Sequence, residues 1–391
     1  MPDGDSPVIL KLVADLTAIP AEEWDACAGQ DNPFLTHAFL TALEESGSAT
    51  GEAGWQPHHL ILEDERTGRL LGAVPMYLKG HSFGEYVFDH GWADAYERAG
   101  GRYYPKLQAC VPFTPVPGPR LLVRPGVDSG HAADLLVDGL RQVCDRMGVS
   151  SVHVTFATEP EWARFGEAGW LLRTGEQFHW ENRGYATFDD FLDTLASRKR
   201  KTIRRERRAV EEAGVSLRIL TGDDLKPHHW DAFFDFYQNT SDRKWGFPYL
   251  TRAFFELIGE RLADRIALVM AEQDGHPIAG ALNLIGGDAL YGRNWGCIVD
   301  VPFLHFEACY HQAIEFAIER GLKRVEAGAQ GQHKIQRGYL PVRTYSAHWI
   351  RDPALRGPVA QFLERERQQV DWEIEALSAD SPYRRTEDNC P

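Results

Sequence analysis

Three residues in the second half of this sequence have side chains that can move a proton: Glu307, His333 and Lys334. Glu307 shares one face of a predicted helix with Tyr310 and Ile314, and burial beside this apolar stripe is expected to raise its pKa toward that of a useful base. The alternative is that Glu307 only balances the positive end of its own helix.

His333 and Lys334 lie in the glycine-rich stretch GAQGQHK, which follows the last clear predicted strand. A histidine there can deprotonate an amine, and a lysine can bind an anion, while a solvated loop histidine is the alternative. His305 and His348 are weaker candidates that core packing or surface exposure would also explain. Glu307 and His333 both stay open as the general base.

These residue types fit the transfer of an acyl group to an amine, which needs a base and donors for the developing oxyanion. Backbone amides of the predicted strand that contains GRNWG (292–296) are candidate oxyanion donors. The sequence has no GxSxG motif, and no cysteine lies in a context that suggests a nucleophile. Direct attack by the amine is therefore favoured over a covalent intermediate.

A strongly basic tract precedes these residues: positions 198–208 hold eight Lys or Arg in eleven residues. Leu195, Ile203 and Val210 give it an apolar seam at helical spacing, so a docked helix with a basic outer face is predicted. A charge run is often only a solvated face, but in a chain of net charge -15 it favours a phosphate-bearing ligand, either tRNA or a lipid or nucleotide diphosphate. The candidate anion-binding residues are Arg198, Lys199, Lys201, Arg204 and Arg205.

Aromatic and polar residues in predicted loops are candidates for the walls of an acceptor groove at the junction of the two halves. Packed rings that anchor loops are the alternative for each. The candidate substrate-binding residues are Asp89, Trp92, Tyr96, Tyr104, Lys106, Arg243, Trp245, Tyr249, Asn294, Trp295, Gln330 and Arg337.

The bulk composition is that of an ordinary globular protein, and 391 residues exceed what one hydrophobic core usually serves. The net charge argues against general coating of nucleic acid or of an anionic membrane. Six scattered cysteines indicate neither a metal site nor a disulfide framework, and no tightly bound cofactor is expected. With no signal sequence or apolar span, a cytoplasmic protein is expected.

The same order of predicted elements occurs twice along the chain. In the first half a helix over 32–46 precedes strands over 58–65, 69–80 and 82–89, a helix over 131–147 and a strand over 150–157. In the second half helices over 227–239 and 251–262 precede strands over 265–272, 276–287 and 288–296, a helix over 303–320 and a strand over 323–328. The predicted domains are residues 1–178, with an insertion at 92–122, and 179–375, with a basic helix at 197–213. A polar tail covers 376–391.

Several long strings resemble the FemAB-like branch of predicted N-acyltransferases, over nearly the whole chain. They are GEYVFDHGWADAY (84–96), VPFTPVPGPRLL (111–122), QFHWENRGY (177–185), SRKRKTIRRERR (197–208), LHFEACY (304–310) and GAQGQHKIQRGYLPVRTYSAHW (328–349). The resemblance implies an α/β fold with mixed sheets, built as a tandem double GNAT (acyl-CoA N-acyltransferase-like) architecture, with the reaction centre in the second half.

The resemblance also implies an acyltransferase, because FemAB enzymes use aminoacyl-tRNA and add amino acids to an amine of a peptidoglycan precursor. Acyl-CoA and aminoacyl-tRNA both remain possible co-substrates, and the acceptor would be a small-molecule or peptide amine. A GNAT enzyme that uses acyl-CoA normally has a glycine-rich loop before its helix, and DVPFLHFEACY at that place has none. The rival function is a noncatalytic protein that binds a peptide or a phosphorylated glycan and retains the fold.

Overall fold

The computed structural model describes residues 7–244, 248–329 and 331–384. The chain forms two compact units, one of Met1–Gly175 with Thr344–Val370 and one of Glu176–Arg343 with Asp371–Pro391. The first boundary lies close to the predicted one, but residues 344–370 belong to unit 1 and not to the second half. Among the described residues no helix is both long and apolar enough to cross a membrane.

The strands are numbered along the chain. They are β1 Val8–Val13, β2 Trp55–Pro57, β3 His59–Asp64, β4 Leu70–Val74, β5 Met76–Lys79, β6 Lys106–Ala109, β7 Leu122–Val123, β8 Ser151–Ala157, β9 Leu171–Glu181, β10 Val215–Leu220, β11 Ile266–Gln273, β12 His276–Ile285, β13 Ala289–Cys297, β14 Arg324–Glu326 and β15 Leu340–Ile350.

The helices are numbered in the same way. They are α1 Ala21–Ala28, α2 His37–Glu45, α3 His90–Arg98, α4 Ser129–Met147, α5 Glu159–Glu167, α6 Phe188–Thr194, α7 Ser197–Glu212, α8 Pro227–Lys244, α9 Arg252–Arg261, α10 Leu304–Phe306, α11 Gln312–Glu319 and α12 Pro353–Ala379. A π-helical turn, Glu307–His311, lies between α10 and α11. Short 3-10 turns lie at Leu16–Ala18, Pro33–Leu35, Gly222–Asp224, Ala263–Arg265 and Gln332–Arg337.

Unit 1 contains two sheets. One has the order β1-β3-β4-β7 and is antiparallel throughout. The other has the order β2-β5-β6-β8-β15, in which only β6 and β8 run parallel. The apolar face of α4 packs onto these strands, with Leu136 and Leu140 fully buried against residues such as Leu107 and Val152. This face follows the helical spacing seen in the sequence.

Unit 2 contains the antiparallel meander β10-β11-β12-β13, in which β11, β12 and β13 match the prediction for residues 265–296 and β10 is an additional strand. Strand β14 then pairs parallel to β13, and the end of β9 pairs antiparallel to β14. The core of this unit joins Trp180, Phe191 and Ile203 to Ile314 of α11. Leu195, Ile203 and Val210 are all buried, so the predicted apolar seam of the basic helix is confirmed.

Two predicted elements of unit 1 are wrong. Residues 82–89 form turns and not a strand, because Ser82, Glu85 and Asp89 are the buried positions and their spacing does not match the alternation of a pleated strand. The segment 69–80 is two strands in different sheets, since Pro75 has no N–H for a ladder and separates β4 from β5.

The predicted insertion at 92–122 and the predicted tail differ from the structure as well. The insertion contains most of α3, all of β6 and the start of β7, so it is part of the unit 1 framework. In the tail, α12 continues to Ala379, and Tyr383 pairs with Leu195 in an isolated bridge.

Candidate active site

The first element of the candidate site is a helix that changes its winding. After α10 the chain makes the π-helical turn Glu307–His311 and then resumes as α11. Such turns are rare and occur frequently at functional sites, because the wider turn alters which side chains share a face. In this case the turn buries Glu307, Tyr310 and His311 together.

The second element is the 3-10 turn Gln332–Arg337, which carries His333 and Lys334. Glycines flank it, Gly331 with φ of 103° and Gly338 with φ of 93°, and this left-handed backbone favours glycine. A Cβ atom at position 331 would overlap the imidazole of His333. The glycine therefore permits both the turn and the position of the histidine ring.

His333 and Tyr310 form the central pair of this site. The Nε2 atom of His333 lies 3.0 Å from the hydroxyl of Tyr310. Partial burial, assisted by the positive charges of Arg337 and Lys334, lowers the pKa of His333 below its usual 6.5. Burial raises the pKa of Tyr310, so its phenol keeps its proton near neutral pH. The side chain of His333 is exposed, and its neutral form is accessible to a ligand.

An aromatic wall surrounds this pair. The ring of His305 lies 5.3 Å from that of Trp295 and 5.4 Å from that of Tyr310. Phe306 lies 5.5 Å from His333. His305, a weaker candidate in the sequence, is therefore part of the site.

Glu307 differs from the prediction. Its carboxylate accepts a hydrogen bond from Gln312 at 2.8 Å, lies 3.0 Å from Nδ1 of His311 and pairs with Arg207 at 3.2 Å. Burial alone would raise the pKa of Glu307, but the hydrogen bond and charge of His311 and the charge of Arg207 outweigh it, so the pKa is lowered. The expected rise in its pKa is wrong, because its partners are cationic or hydrogen-bond donors.

Lys334 is buried, and its ammonium group donates hydrogen bonds to the backbone carbonyls of Ala327, at 2.6 Å, and Gly328, at 3.1 Å. Burial lowers the pKa of Lys334 to about 8. The Lys334 amine thus connects the turn Gln332–Arg337 to the segment after β14. The sequence suggested that Lys334 binds an anion, whereas its partners in the structure are backbone carbonyls.

Arg337 and Glu206 connect the turn to the basic helix α7. The guanidinium donates to the carboxylate at 2.6 and 3.1 Å and donates to the backbone carbonyl of His333 at 2.8 Å. Its face also lies 3.5 Å from the centroid of the Phe306 ring. Arg337 was predicted to bind substrate, and most of its donors are instead used within unit 2. Glu206 was missed, although it is the only acidic residue in the basic tract.

An open strand edge lies beside the aromatic wall. Strands β13 and β14 pair from Ala289 to Tyr291, and no further pair between them occurs among the described residues. The register between β12 and β13 shifts at Arg293, which makes a β-bulge. Asn294 and Trp295 follow the bulge and are half-buried. Backbone amides in this stretch of β13 are the candidate oxyanion donors.

The predicted anion-binding residues of α7 separate into three groups. Arg198, Lys201 and Arg205 are exposed and Lys199 is half-buried, and none of these four has an ion-pair partner among the residues that the structure describes. Arg204 pairs with Asp189 at 2.9 Å. The basic outer face therefore exists, but it is not uniform.

The candidate residues of unit 1 form an internal network. Lys106 is fully buried and donates to Ser82 at 2.8 Å, Glu85 at 2.7 Å and Asp89 at 2.5 Å. A predicted role for Asp89 and Lys106 as contacts lining a groove does not fit this burial, because each is the other's partner. Lys79, directly opposite Lys106 in β5, is buried as well, and burial lowers its pKa to about 7.

The aromatic candidates of unit 1 are also held by protein partners. Trp92 is buried 5.0 Å from the ring of His348, Tyr96 donates to Asp352 at 2.7 Å, and Tyr104 lies 2.8 Å from the hydroxyl of Ser82. His348 is a buried core residue. The alternative of a packed ring describes Trp92 best, although this residue lies in α3 and not in the predicted loop.

The remaining candidates contribute little to the site as described. Arg243 is exposed and donates to the carbonyl of Cys297 at 2.9 Å, while the amide of Tyr249 donates to the hydroxyl of Tyr237 at 3.0 Å. Trp245 and Gln330 lie outside the described residues. Within the ranges 7–244, 248–329 and 331–384, no three His, Cys, Asp or Glu side chains are grouped so that they could hold a metal ion.

Comparison with known proteins gives a family and a fold. A family model for FemAB-like proteins, described as peptidoglycan biosynthesis/recognition, matches residues 15–385. No curated protein matches the sequence at a significant level.

Among solved structures, FemX is similar with a TM-score of 0.56 at 11% identity, covering 88% of this chain and 98% of that one. L-PGS from Bacillus licheniformis has a TM-score of 0.51 at 11% identity, covering 85% and 98%. The C-terminal domain of a putative lysylphosphatidylglycerol synthetase from Agrobacterium fabrum has a TM-score of 0.50 at 11% identity, covering 88% and 95%. The predicted fold class is confirmed, and at this identity the likeness extends to the fold alone.

Proposed function

This chain belongs to the FemAB-like family, and we propose that it is an acyltransferase that moves an activated acyl or aminoacyl group onto an amine by direct attack. The observation that carries the proposal is the pair of His333 and Tyr310, 3.0 Å apart beside an open strand edge. The family's description, peptidoglycan biosynthesis/recognition, supports a role for this reaction in that pathway, and the proposed amine acceptor is a small molecule or a peptide.

His333 is the proposed general base, in preference to Glu307. A base must be unprotonated and able to reach the substrate amine. His333 is exposed and has a lowered pKa, so it is neutral at pH 7, whereas the carboxylate of Glu307 is buried and already bound to three partners. In the tautomer whose Nε2–H donates to the oxygen of Tyr310, Nδ1 remains free to accept a proton.

The proposed reaction has two steps. The amine nitrogen attacks the acyl carbon while Nδ1 of His333 takes its proton, and the carbonyl electrons move onto oxygen. Amides of β13 near Asn294 stabilise this oxyanion by donating hydrogen bonds. When the intermediate collapses, the imidazolium returns the proton to the leaving sulfur of coenzyme A or the leaving ribose oxygen of tRNA. Tyr310 accepts a hydrogen bond from the imidazolium throughout, which stabilises its charge.

The donor is proposed to carry phosphate, as both acyl-CoA and aminoacyl-tRNA do. The segment 300–310 has no glycine that would let its backbone approach a pyrophosphate, as glycine-rich GNAT loops do at a helix N-terminus. The phosphate of either donor would therefore need another binding site. The basic helix α7, which Glu206 joins to Arg337 of the turn that carries His333, has cations without an ion-pair partner among the described residues.

The test is product formation. The purified full chain is incubated with acetyl-CoA or with charged tRNA and a set of amine acceptors, including lysine-containing peptides, and products are identified by mass spectrometry. His333→Gln should lower turnover by roughly a hundredfold or more, while Glu307→Gln should have a smaller effect.

His276→Gln is the matched control, because that histidine is exposed at the start of β12. An unchanged rate in His333→Gln would overturn the assignment of the base. Tight ligand binding with no product from either donor would favour the rival noncatalytic binding protein.

A further inference from the structure

A pocket of about 310 Å³ lies between the first three turns of α7 and the turn that carries His333. Its walls bring together two parts of the chain that are far apart in sequence. The polar residues that line it are Arg198, Lys199, Thr202, Glu206, Gln336 and Arg337.

The charges of this pocket do not balance. Its one carboxylate, Glu206, is neutralised by Arg337 through two hydrogen bonds. Arg198 and Lys199 have no carboxylate partner among the residues that the structure describes. Two positive charges therefore remain for an anion, and the pocket is small enough to hold them near one ligand.

The guanidinium of Arg337 also has N–H groups that are not used in hydrogen bonds to Glu206 or His333. A guanidinium has five N–H groups in a fixed plane. Two of those of Arg337 point to Glu206 and one to the carbonyl of His333, so two remain. A planar group that is already held by Glu206 and by the Phe306 ring loses little further freedom when it binds a phosphate.

A neighbouring pocket on the other side of α7 provides the contrast. It has a volume of about 500 Å³, and its walls hold three arginines, Arg204, Arg207 and Arg208, against three carboxylates, Asp189, Glu211 and Glu315. Arg204 and Arg207 already form ion pairs with two of these carboxylates. Equal numbers of opposite charges leave no net attraction for an anion there.

We infer that the pocket of Arg198, Lys199 and Arg337 binds a phosphate or pyrophosphate group of the acyl donor. This inference rests on the proposed function for the identity of the ligand, but the binding site itself does not depend on turnover. The shared chemistry is a phosphate ester, from the pyrophosphate of coenzyme A or from the backbone of the acceptor end of tRNA.

The pocket is joined directly to the proposed base. The same guanidinium that would bind the phosphate donates to the backbone carbonyl of His333 at 2.8 Å. The turn between Gly331 and Gly338 is short, so an anion that fixes Arg337 also fixes the backbone of His333. Donor binding would in this way help to set the position of the base.

The test measures anion binding in the absence of turnover. Inorganic pyrophosphate, coenzyme A and an RNA duplex are titrated separately into the full chain by calorimetry, in a phosphate-free buffer. The duplex has the sequence of the tRNA acceptor end and carries no amino acid. The double variant Arg198→Gln with Lys199→Gln should weaken pyrophosphate binding roughly tenfold or more. Lys201→Gln with Arg205→Gln removes the same charge from the same helix outside the pocket and should change it by less than about twofold.

The arms distinguish the two sources of phosphate. If coenzyme A is the source, its affinity falls in the pocket variant while that of the RNA is unchanged. If the RNA is the source, its affinity falls, and the slope of log affinity against log salt falls by about two in the pocket variant.

An equal loss in both double variants would overturn the inference, because it would show a diffuse basic face. Failure of the unaltered chain to bind pyrophosphate, coenzyme A or RNA would overturn it as well. Failure of the proposed function is distinguishable, since pocket-dependent binding would then persist with no product from either donor. Thermal unfolding of both variants verifies that they fold, which is expected because the replaced side chains lie at or near the surface.

Discussion

The guanidinium of Arg337 donates two hydrogen bonds to the carboxylate of Glu206, at 2.6 and 3.1 Å, although the two residues are 131 positions apart. Both side chains are buried, with 7% and 5% of their surface exposed. The pair fastens α7 to the turn that carries His333. The stability of unit 2 and the position of the proposed base therefore depend on the same contact.

Removing one partner of this pair should be costly. Glu206→Ala leaves the buried charge of Arg337 without a partner, so the free energy of unfolding should fall by about 3–5 kcal/mol. Arg204→Ala, which breaks the exposed pair with Asp189, is the control and should cost less than about 1 kcal/mol. Urea denaturation followed by circular dichroism measures both. A double variant Glu206→Leu with Arg337→Met should recover much of the loss, and if it does not, the unpaired charge is not the cause.

A methyl group at position 331 should impair activity more than stability. Gly331→Ala places a Cβ atom on the imidazole of His333 and strains a backbone with φ of 103°. Gly328→Ala has a similar backbone strain, with φ of 74°, but an added Cβ there meets no atom within 4 Å. Each should lower the free energy of unfolding by about 1–2 kcal/mol, and only Gly331→Ala should lower kcat strongly. Equal rates in the two variants would argue against a catalytic role for the His333 ring.

The pH profile of the reaction should report His333. Its pKa lies below 6.5 because of burial and the charges of Arg337 and Lys334, so kcat/KM should be constant near pH 7 and fall as the pH drops through that lowered pKa. Lys334→Met removes one of the positive charges and should move this acidic limb to higher pH. The measurement is the rate on the identified substrate between pH 4.5 and about 8. If the residual activity of His333→Gln still falls at acidic pH, that fall in kcat/KM belongs to the titration of another group.

Unit 1 should lose stability in acid through its two buried histidines. Burial, with the charge of Lys106, lowers the pKa of His153 to about 3, and burial lowers that of His348, whose Nδ1 lies 2.7 Å from Nδ1 of His153. Between pH 6.5 and about 3 the unfolded chain binds more protons at these two histidines than the folded chain does. Protonation of the histidines therefore does not reduce the free energy of unfolding above pH 6.5 and reduces it increasingly as the pH falls below that value.

The difference between variants isolates this effect from other groups. Glu85 acts in the opposite direction, because burial raises its pKa to about 7 and its contribution is lost as the pH rises from 4.5 to 7. The charge of Asp89 faces His153 and opposes the lowering of its pKa. His153→Gln should therefore show a shallower loss of stability in acid than the unaltered chain, measured as the unfolding midpoint in urea from pH 7 to about 4. His276→Gln should leave the slope unchanged.

The sequence predicts those helices and strands whose buried faces depend only on the spacing of neighbouring residues. The meander of residues 265–296, the apolar face of α4 and the seam of Ile203 and Val210 follow from periodicity, because a helix or strand repeats its buried positions at a fixed spacing. The prediction of a loop at His333 rested instead on the surrounding Gly328, Gly331 and Gly338, and the structure places His333 in the 3-10 turn Gln332–Arg337. The strand predicted over 82–89 is wrong because three buried polar residues, and not the alternation of a pleated strand, determine the path of this segment.

The tertiary structure alone decided which charges meet. Glu206 with Arg337, Glu307 with Arg207, and Lys106 with Glu85 and Asp89 are contacts between separate elements, and no spacing in the sequence marks them. A pKa depends on the charges and burial within a few ångströms, and those neighbours are assembled only when the chain folds. This is why the sequence could name Glu307 and His333 as candidates, while their protonation at neutral pH, and the preference for His333, required the folded arrangement.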